Sequence, residues 1–345
     1  MIERDTTLVT IKNGPFTIEG KQAAVQKEIK ENYESYFAKA AKTRMWFADR
    51  LSERNEMASY AQFISEETKE ILLGFLGVEA YVDDYVFEGI NGAGDSLATR
   101  ALYAQWGFEE RRHIQTFRHC LIDSELYTQE FVDNYLAETE SYRWTFEAQT
   151  GYEPTPLVAA AYAIFQERQT RWNYTQIRRR IWGEYGGPTN STGHPIYPAI
   201  AGAIRFPEID EGAHEANFTN IVGIYMKYFP DIALETLMQV SAHYRMPLVQ
   251  LPNGEEFIRC ILAAGLGSPR PVINEVMNPA LQRMGLSDRS ALRNAVKNFR
   301  LLPEHAVVHL QGKPLSDMPD DVSVAIYQML PSGDFILEAP EVQLS

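Results

Sequence analysis

Cysteine is nearly absent, with Cys120 and Cys260 the only two in 345 residues. Two thiols without a Cys-x-x-Cys spacing build no disulfide framework, zinc site or iron–sulfur site, and they fit a reducing compartment. Long hydrophobic runs are missing too. No stretch of about 18 apolar residues is available to span a bilayer, and the opening Met1-Ile2-Glu3-Arg4-Asp5 lacks the basic-then-apolar order of a secretion signal. A cytoplasmic protein with no membrane association is expected. Positive charge is in deficit, 32 Lys and Arg against 46 Asp and Glu for a formal charge of −14. That balance argues against a dedicated nucleic-acid or anionic-lipid surface. Gly-rich dinucleotide fingerprints, internal repeats and low-complexity tracts are also lacking.

What is present is apolar and aromatic: 45% of residues are hydrophobic and 12% aromatic, enough for a sizeable core. Residues 1–20 read as an arm. From Lys21 to Arg54 apolar residues recur at three- and four-residue steps, the spacing of an amphipathic helix. Ala58–Gly89 is apolar on more than one face and predicts a buried central helix. Asn91 to Ser96 is a turn ending in N-cap residues, and it opens a third helix running to Asp123. Ser124–Phe146 is a weaker helical stretch, broken by Gly151 to Pro156. Long helices are predicted over Leu157–Gly183 and Tyr197–Tyr228, separated by a Gly/Pro/Asn-rich loop, and shorter ones continue to Phe299. Residues 300–345 change character, with Ala306–Leu310 and Val322–Tyr327 reading as short strands. The fold expected is all-α: a helical body over 21–299 with a small C-terminal appendage.

Two segments place a carboxylate and an imidazole three residues apart, Glu110-Arg111-Arg112-His113 and Glu211-Gly212-Ala213-His214. On a helix these positions share a face, so each pair can offer one oxygen and one nitrogen to a single point. A solvated helix face explains one such pair. Two pairs on two long helices match the arrangement a dinuclear carboxylate site uses, which requires one further glutamate from each of two other helices. Glu79, in Leu76-Gly77-Val78-Glu79-Ala80-Tyr81-Val82, and Glu167, after Ala159-Ala160-Ala161-Tyr162-Ala163, are charges inside apolar runs, costly unless partnered. Asp83 is a rival to Glu79. Four carboxylates neutralise two divalent ions, and oxygen ligands with two imidazoles suit iron or manganese better than zinc or calcium. Iron is the first choice.

The strings Phe108-Glu109-Glu110-Arg111-Arg112-His113, Phe165-Gln166-Glu167-Arg168-Gln169-Thr170 and Ile209-Asp210-Glu211-Gly212-Ala213-His214-Glu215 resemble the motif regions of the soluble acyl-carrier-protein desaturases. The resemblance runs from Leu72 to Met246. It implies a ferritin-like four-helix bundle with extra helices and two iron ions held by Glu79, Glu110, His113, Glu167, Glu211 and His214. It further implies a catalytic role for Thr170 in handling activated oxygen and protons. Asp210 is implied as the acid that supports the preceding helix's histidine or electron entry; a carboxylate holding an imidazole N–H is physically expected there. The chain departs from the family at Gly212-Ala213, at Phe218, in the alanines before Glu167 and in the long 184–197 loop.

The reaction the resemblance implies is oxygen- and electron-dependent desaturation of an acyl chain tethered to acyl carrier protein. Electrons would come from a ferredoxin-type donor and the chain would be a homodimer. Arg178, Arg179 and Arg180 are the candidate contact for an acidic carrier, against the alternative of a solvated helix end. Two other functions stay open: a diiron hydroxylase or N-oxygenase acting on a small molecule, and a non-catalytic ferritin-like metal-binding protein.

Overall fold

The computed structural model describes residues 18–300 apart from residues 95, 148–154, 247 and 249, together with five short strands near the termini. Its elements are α1 (Ile18–Thr43), α2 (Arg54–Tyr60), α3 (Glu66–Ala80), α4 (Val82–Gly92), α5 (Leu97–Ile122) and α6 (Gln129–Thr139). After these come α7 (Pro156–Glu184), α8 (Ala199–Tyr228), α9 (Pro230–His243), α10 (Gly254–Ala263), α11 (Asn278–Arg283) and α12 (Arg289–Arg300). A π-helical segment, Val272–Met277, precedes α11. No helix among the described residues is long and apolar enough to cross a membrane.

Local chemistry sets the helix starts. Ser65, Ser96, Thr128 and Thr155 each stand in extended backbone and accept a hydrogen bond from the N–H three residues on, and Pro156 follows the last of them at the first helical position. The expected Ala58–Gly89 helix is therefore divided. Ser65 caps a new helix start, and Tyr81 tightens the ladder between α3 and α4 with its N–H shared by Val78 and Glu79. Periodicity does not register either event, because the apolar face continues through both. Likewise α1 ends at Thr43 rather than Arg54, and the segment that follows carries Arg44 and Trp46 into the interior.

Helices α3, α5, α8 and α7 form a closed ring, each packing on two of the others. Most of α3 is buried, from Ile71 through Glu79, as is most of α7. Outside the ring, α1 packs across α5 and α8, α10 covers α3, and α9 lies against α7 and α8. This is the four-helix arrangement expected, with extra helices around it. Phe75, Tyr81, Tyr103, Trp106, Tyr162 and Phe165 are all buried in this core.

The 184–197 loop is a closed turn rather than a loose insert. Thr189 bridges Pro195, and the Asn190 side chain accepts from the N–H groups of Thr192 and His194. At the termini, Thr10–Ile11 pairs with Gly14–Pro15, and Val307–Leu310 pairs with both Lys313–Pro314 and Ile336–Glu338. The first expected C-terminal strand is thus present, while Val322–Tyr327 and the Gly151–Pro154 break lie outside the described residues.

Candidate metal centre

Glu79 occupies the last turn of α3, Glu110 and His113 the middle of α5, Glu167 the middle of α7, and Glu211 and His214 the middle of α8. All six are buried. The bundle brings them together in two groups whose ligand atoms lie within 4.8 Å of one another, Glu79/Glu110/His113/Glu211 and Glu110/Glu167/Glu211/His214. Glu110 and Glu211 belong to both groups. The rival Asp83 is elsewhere, exposed and paired with Arg111.

Both imidazoles turn Nδ1 inward. His113 Nδ1 lies 3.0 Å from Glu110 Oε2, 3.5 Å from Glu211 Oε1 and 3.7 Å from Glu79 Oε2. His214 Nδ1 lies 2.8 Å from Glu110 Oε1 and 3.1 Å from Glu167 Oε2. Several of these close approaches lack hydrogen-bond alignment. His113 Nδ1, Glu110 Oε1 and Glu167 Oε1 are buried and have no hydrogen-bond partner among the described residues. Buried polar atoms without partners are costly, and atoms so arranged fit metal ligation.

Behind the imidazoles stands a crossed support that the motifs only half revealed. His214 Nε2 lies 2.9 Å from Glu109, the neighbour of the candidate ligand Glu110, and His113 Nε2 lies 3.7 Å from Asp210, the neighbour of Glu211. Glu109 therefore backs His214 and selects the tautomer that leaves its Nδ1 free, while Asp210 stands behind His113 beyond hydrogen-bond reach and His113 Nε2 has no hydrogen-bond partner among the described residues. Arg44 joins the two acids, with Nη2 3.2 Å from Glu109 and Nε 3.3 Å from Asp210. Arg112 and the Trp46 indole N–H also donate to Asp210, at 2.8 and 2.9 Å, and Tyr36 donates to Glu109 at 2.7 Å. Glu109, Arg44, Tyr36 and Trp46 were not singled out from sequence. For Glu109 a signal existed: both Glu-x-x-His strings are preceded by an acid.

The protonation pattern follows from burial and mutual charge. Burial pushes Glu79 up to about 8, with Glu110 and Glu211 adding to the rise against the pull of His113. Burial also raises Glu167, helped by Glu211 and Glu110. For Glu110 burial is outweighed by the two imidazoles, and its carboxyl is held well below the usual range. Glu211 is held down as well, through Glu167 and His113 acting against burial and Glu110. Burial disfavours the charged imidazoles, yet Glu110, Glu211 and Asp210 raise His113, and Tyr36, Glu110 and Glu109 raise His214, both well above 6.5. Glu109 is lowered to about 2, because the hydrogen bond and charge of His214 outweigh burial. Without metal, burial and mutual charge thus favour the protonated forms of both imidazoles, Glu79 and Glu167 and the ionised forms of Glu110 and Glu211.

The remaining sequence candidates fall into place differently. Thr170 is buried one turn beyond Glu167, but its hydroxyl donates to the Gln166 carbonyl of its own helix at 2.9 Å. Arg178 is buried rather than presented to a partner; it donates to the Ala201 carbonyl, pairs with Glu208 and covers the Tyr197 ring. Arg180 pairs with Glu67 and Glu184. Only Arg179 of the three is exposed. A count of cations along α7 could not show that two of them are matched by acids on other helices. Gly212 has a packing reason: a Cβ there would stand 3.2 Å from the Arg171 guanidinium, whose Nη1 lies 3.6 Å from buried Glu215. One residue missed entirely is Tyr174, fully buried two turns beyond Glu167, whose hydroxyl donates to Glu79. Burial holds its phenol well above 10, so it remains a donor.

No protein-family model matches the chain, and no curated protein matches it. Among solved structures it is similar to the X-ray structure of a "putative acyl-ACP desaturase DesA2" from Mycobacterium tuberculosis H37Rv. That similarity has a TM-score of 0.49 and 13% sequence identity, and covers 75% of this chain and 94% of that one.

Proposed function

We propose that the chain is a diiron oxidase that uses dioxygen and two external electrons to desaturate an acyl chain carried on acyl carrier protein. The observation that carries the oxidase part is the pair of overlapping four-residue groups sharing Glu110 and Glu211. Glu79 and His113 would hold one ion, Glu167 and His214 the other, and the shared carboxylates both. Two ferrous ions so held supply the joint reduction of dioxygen that an unactivated C–H bond demands.

The chain's own groups do the rest. Glu109 orients the His214 imidazole, Asp210 stands 3.7 Å behind that of His113, and Arg44 bridges the two acids. Helices packed on every side keep bulk water from the buried carboxylates. Thr170 would pass a proton, its hydroxyl turning away from the Gln166 carbonyl to do so. Trp46 offers the way in for electrons: its ring stacks on His113 at 6.2 Å with an interplanar angle of 3°, donates to Asp210 and packs against half-exposed Phe206. A ferredoxin-type donor docking over Phe206 completes the reading, with the enzyme a cytoplasmic homodimer.

The acyl substrate comes from the motif resemblance, and one observation favours the small-molecule reading. Tyr85, Trp106 and Trp144 form one buried ring cluster, and the hydroxyl and both indole N–H groups have no hydrogen-bond partner among the described residues. A substrate bearing oxygen acceptors would satisfy such donors; a methylene chain would not. The deciding experiment incubates iron-loaded protein with reduced ferredoxin, oxygen and a stearoyl carrier protein, and analyses the released acyl chains by mass spectrometry. A new double bond supports desaturation. An unchanged chain, with oxygen consumed only when small acceptor-rich compounds are added, supports the second reading.

A further inference from the structure

We propose that the cavity between α7 and the π-helical segment binds a nucleoside diphosphate, with Arg179 and Arg270 holding its phosphates. The site lies outside the metal centre and does not depend on the oxidase reading. The cavity has a volume of about 460 Å³, and its walls include Trp172, Gln176, Arg179, Arg270, Asn274 and Glu275. Small-molecule sites typically measure about 300–1,000 Å³. Trp172, Gln176 and Arg179 follow one another at four- and three-residue steps on α7 and so share a face. Gln176 stands nine residues beyond Glu167, half a turn round the helix, which turns this face away from the metal centre. The facing wall is the π-helical segment, which packs on α7 and carries Asn274 and Glu275, and Arg270 stands in the turn that leads into it. Turns of π-helix are rare and recur at functional sites. Arg168 ties this wall to the bundle, donating to the Glu275 carbonyl at 3.1 Å and to buried Glu215 at 2.8 Å.

The arginines around the cavity are matched by acids: Arg168, Arg171 and Arg283 converge on Glu215, Arg178 meets Glu208, and Arg180 meets Glu67 and Glu184. The two inside it are not. Arg179 and Arg270 are exposed and form no hydrogen bond or ion pair among the described residues. The Trp172 indole N–H and the Gln176 and Asn274 carboxamides have no hydrogen-bond partner there either, and the Trp172 ring stacks on no other ring. Two unmatched guanidiniums on facing walls attract an anion, and their planar forks suit phosphate oxygens in pairs, one phosphate to each. The half-buried Trp172 ring offers its surface to a planar base. Gln176 and Asn274 each bring a donor and an acceptor, the combination that a base edge requires. Glu275 can accept from ribose hydroxyls, and its charge disfavours a bare inorganic anion. Together these groups select a phosphorylated ligand that also carries a ring. Arg179 is the candidate contact for an acidic carrier as well, so a bound nucleotide would mask it.

The test is titration calorimetry of the full chain at low salt with four probes: ADP, adenosine, pyrophosphate and phosphopantetheine. ADP is expected to bind at a single site, with adenosine and phosphopantetheine weaker by about tenfold or more. Arg270→Glu should weaken ADP by about tenfold or more, since it removes charge-assisted hydrogen bonds to a phosphate. Trp172→Leu should weaken ADP but leave pyrophosphate unchanged, a split that a general loss of structure would not produce. Should either variant fail to fold, Arg179→Gln, at an exposed position on the same cavity, takes its place with the same expected loss of ADP affinity. No heat of binding up to about 1 mM ADP overturns the proposal. So does ADP binding that is unchanged in Arg270→Glu and Arg179→Gln. Phosphopantetheine bound as tightly as ADP would give the cavity to a carrier's arm and likewise overturn the nucleotide assignment. Iron content measured on the same protein reports on the oxidase reading separately.

Discussion

Replacing Glu79 by glutamine separates what the site needs for metal from what it costs the fold. Burial raises Glu79 from 4.5 to about 8 in the metal-free chain, so between those pH values the folded chain keeps a proton that the unfolded chain has released. Stability therefore falls as pH rises through that window, by about 1.4 kcal/mol per pH unit, which amounts to about 3 kcal/mol at pH 7 and about 1 kcal/mol at pH 5.5. Glutamine has the same shape, stays neutral and can still accept the Tyr174 hydroxyl. Metal-free Glu79→Gln is expected to exceed the unaltered protein in stability by these amounts, read from urea unfolding in chelator at the two pH values. With iron present the variant loses one ion and with it about 3 kcal/mol of binding-linked stability at a hundredfold excess of metal over its dissociation constant, so the two proteins come out about equal at pH 7 and the variant is the less stable by about 2 kcal/mol at pH 5.5. A metal-free Glu79→Gln protein less stable than its parent at pH 7, or equally displaced at both pH values, would refute the reasoning.

Metal loading is expected to release protons, since the metal-free site favours the protonated forms of both imidazoles and of Glu79 and Glu167, measured with a pH indicator in weak buffer; no release would contradict this. Arg44→Met should cost about 3–5 kcal/mol in denaturant unfolding, since Glu109 and Asp210 stay buried with their common cation gone. Gly74→Ala should destabilise by about 1–3 kcal/mol, because the added Cβ would stand 2.1 Å from the Phe257 ring, and Phe257→Leu in the same chain should recover part of that loss. Arg179→Glu should raise the KM for a carrier-bound acyl chain without changing that for the free acid; equal effects on both would remove the docking role from Arg179.

The candidate ligands were legible because their signal is local. A carboxylate and an imidazole three residues apart on a helix share a face whatever the tertiary structure, and Glu79 and Glu167 betray themselves as charges inside apolar runs. Groups that act across helices carry no such mark. Arg44 and Trp46 lie beyond the end of α1, where periodicity suggested more helix, and only the packing of α1 on α5 and α8 delivers them to Glu109 and Asp210. Tyr174 had a readable spacing from Glu167, but its partner Glu79 lies 95 residues away in sequence. The arginines of α7 show the converse: Arg178 and Arg180 look like a surface cluster until Glu208, Glu67 and Glu184 are placed beside them.

Metal stoichiometry across four proteins tests the two overlapping ligand groups most directly. Iron-loaded, desalted chain should carry two ions, Glu79→Ala and Glu167→Ala one each, and Glu110→Ala, which removes a carboxylate common to both groups, essentially none. Fewer than one ion in the unaltered chain, or two retained in Glu110→Ala, would contradict the dinuclear assignment.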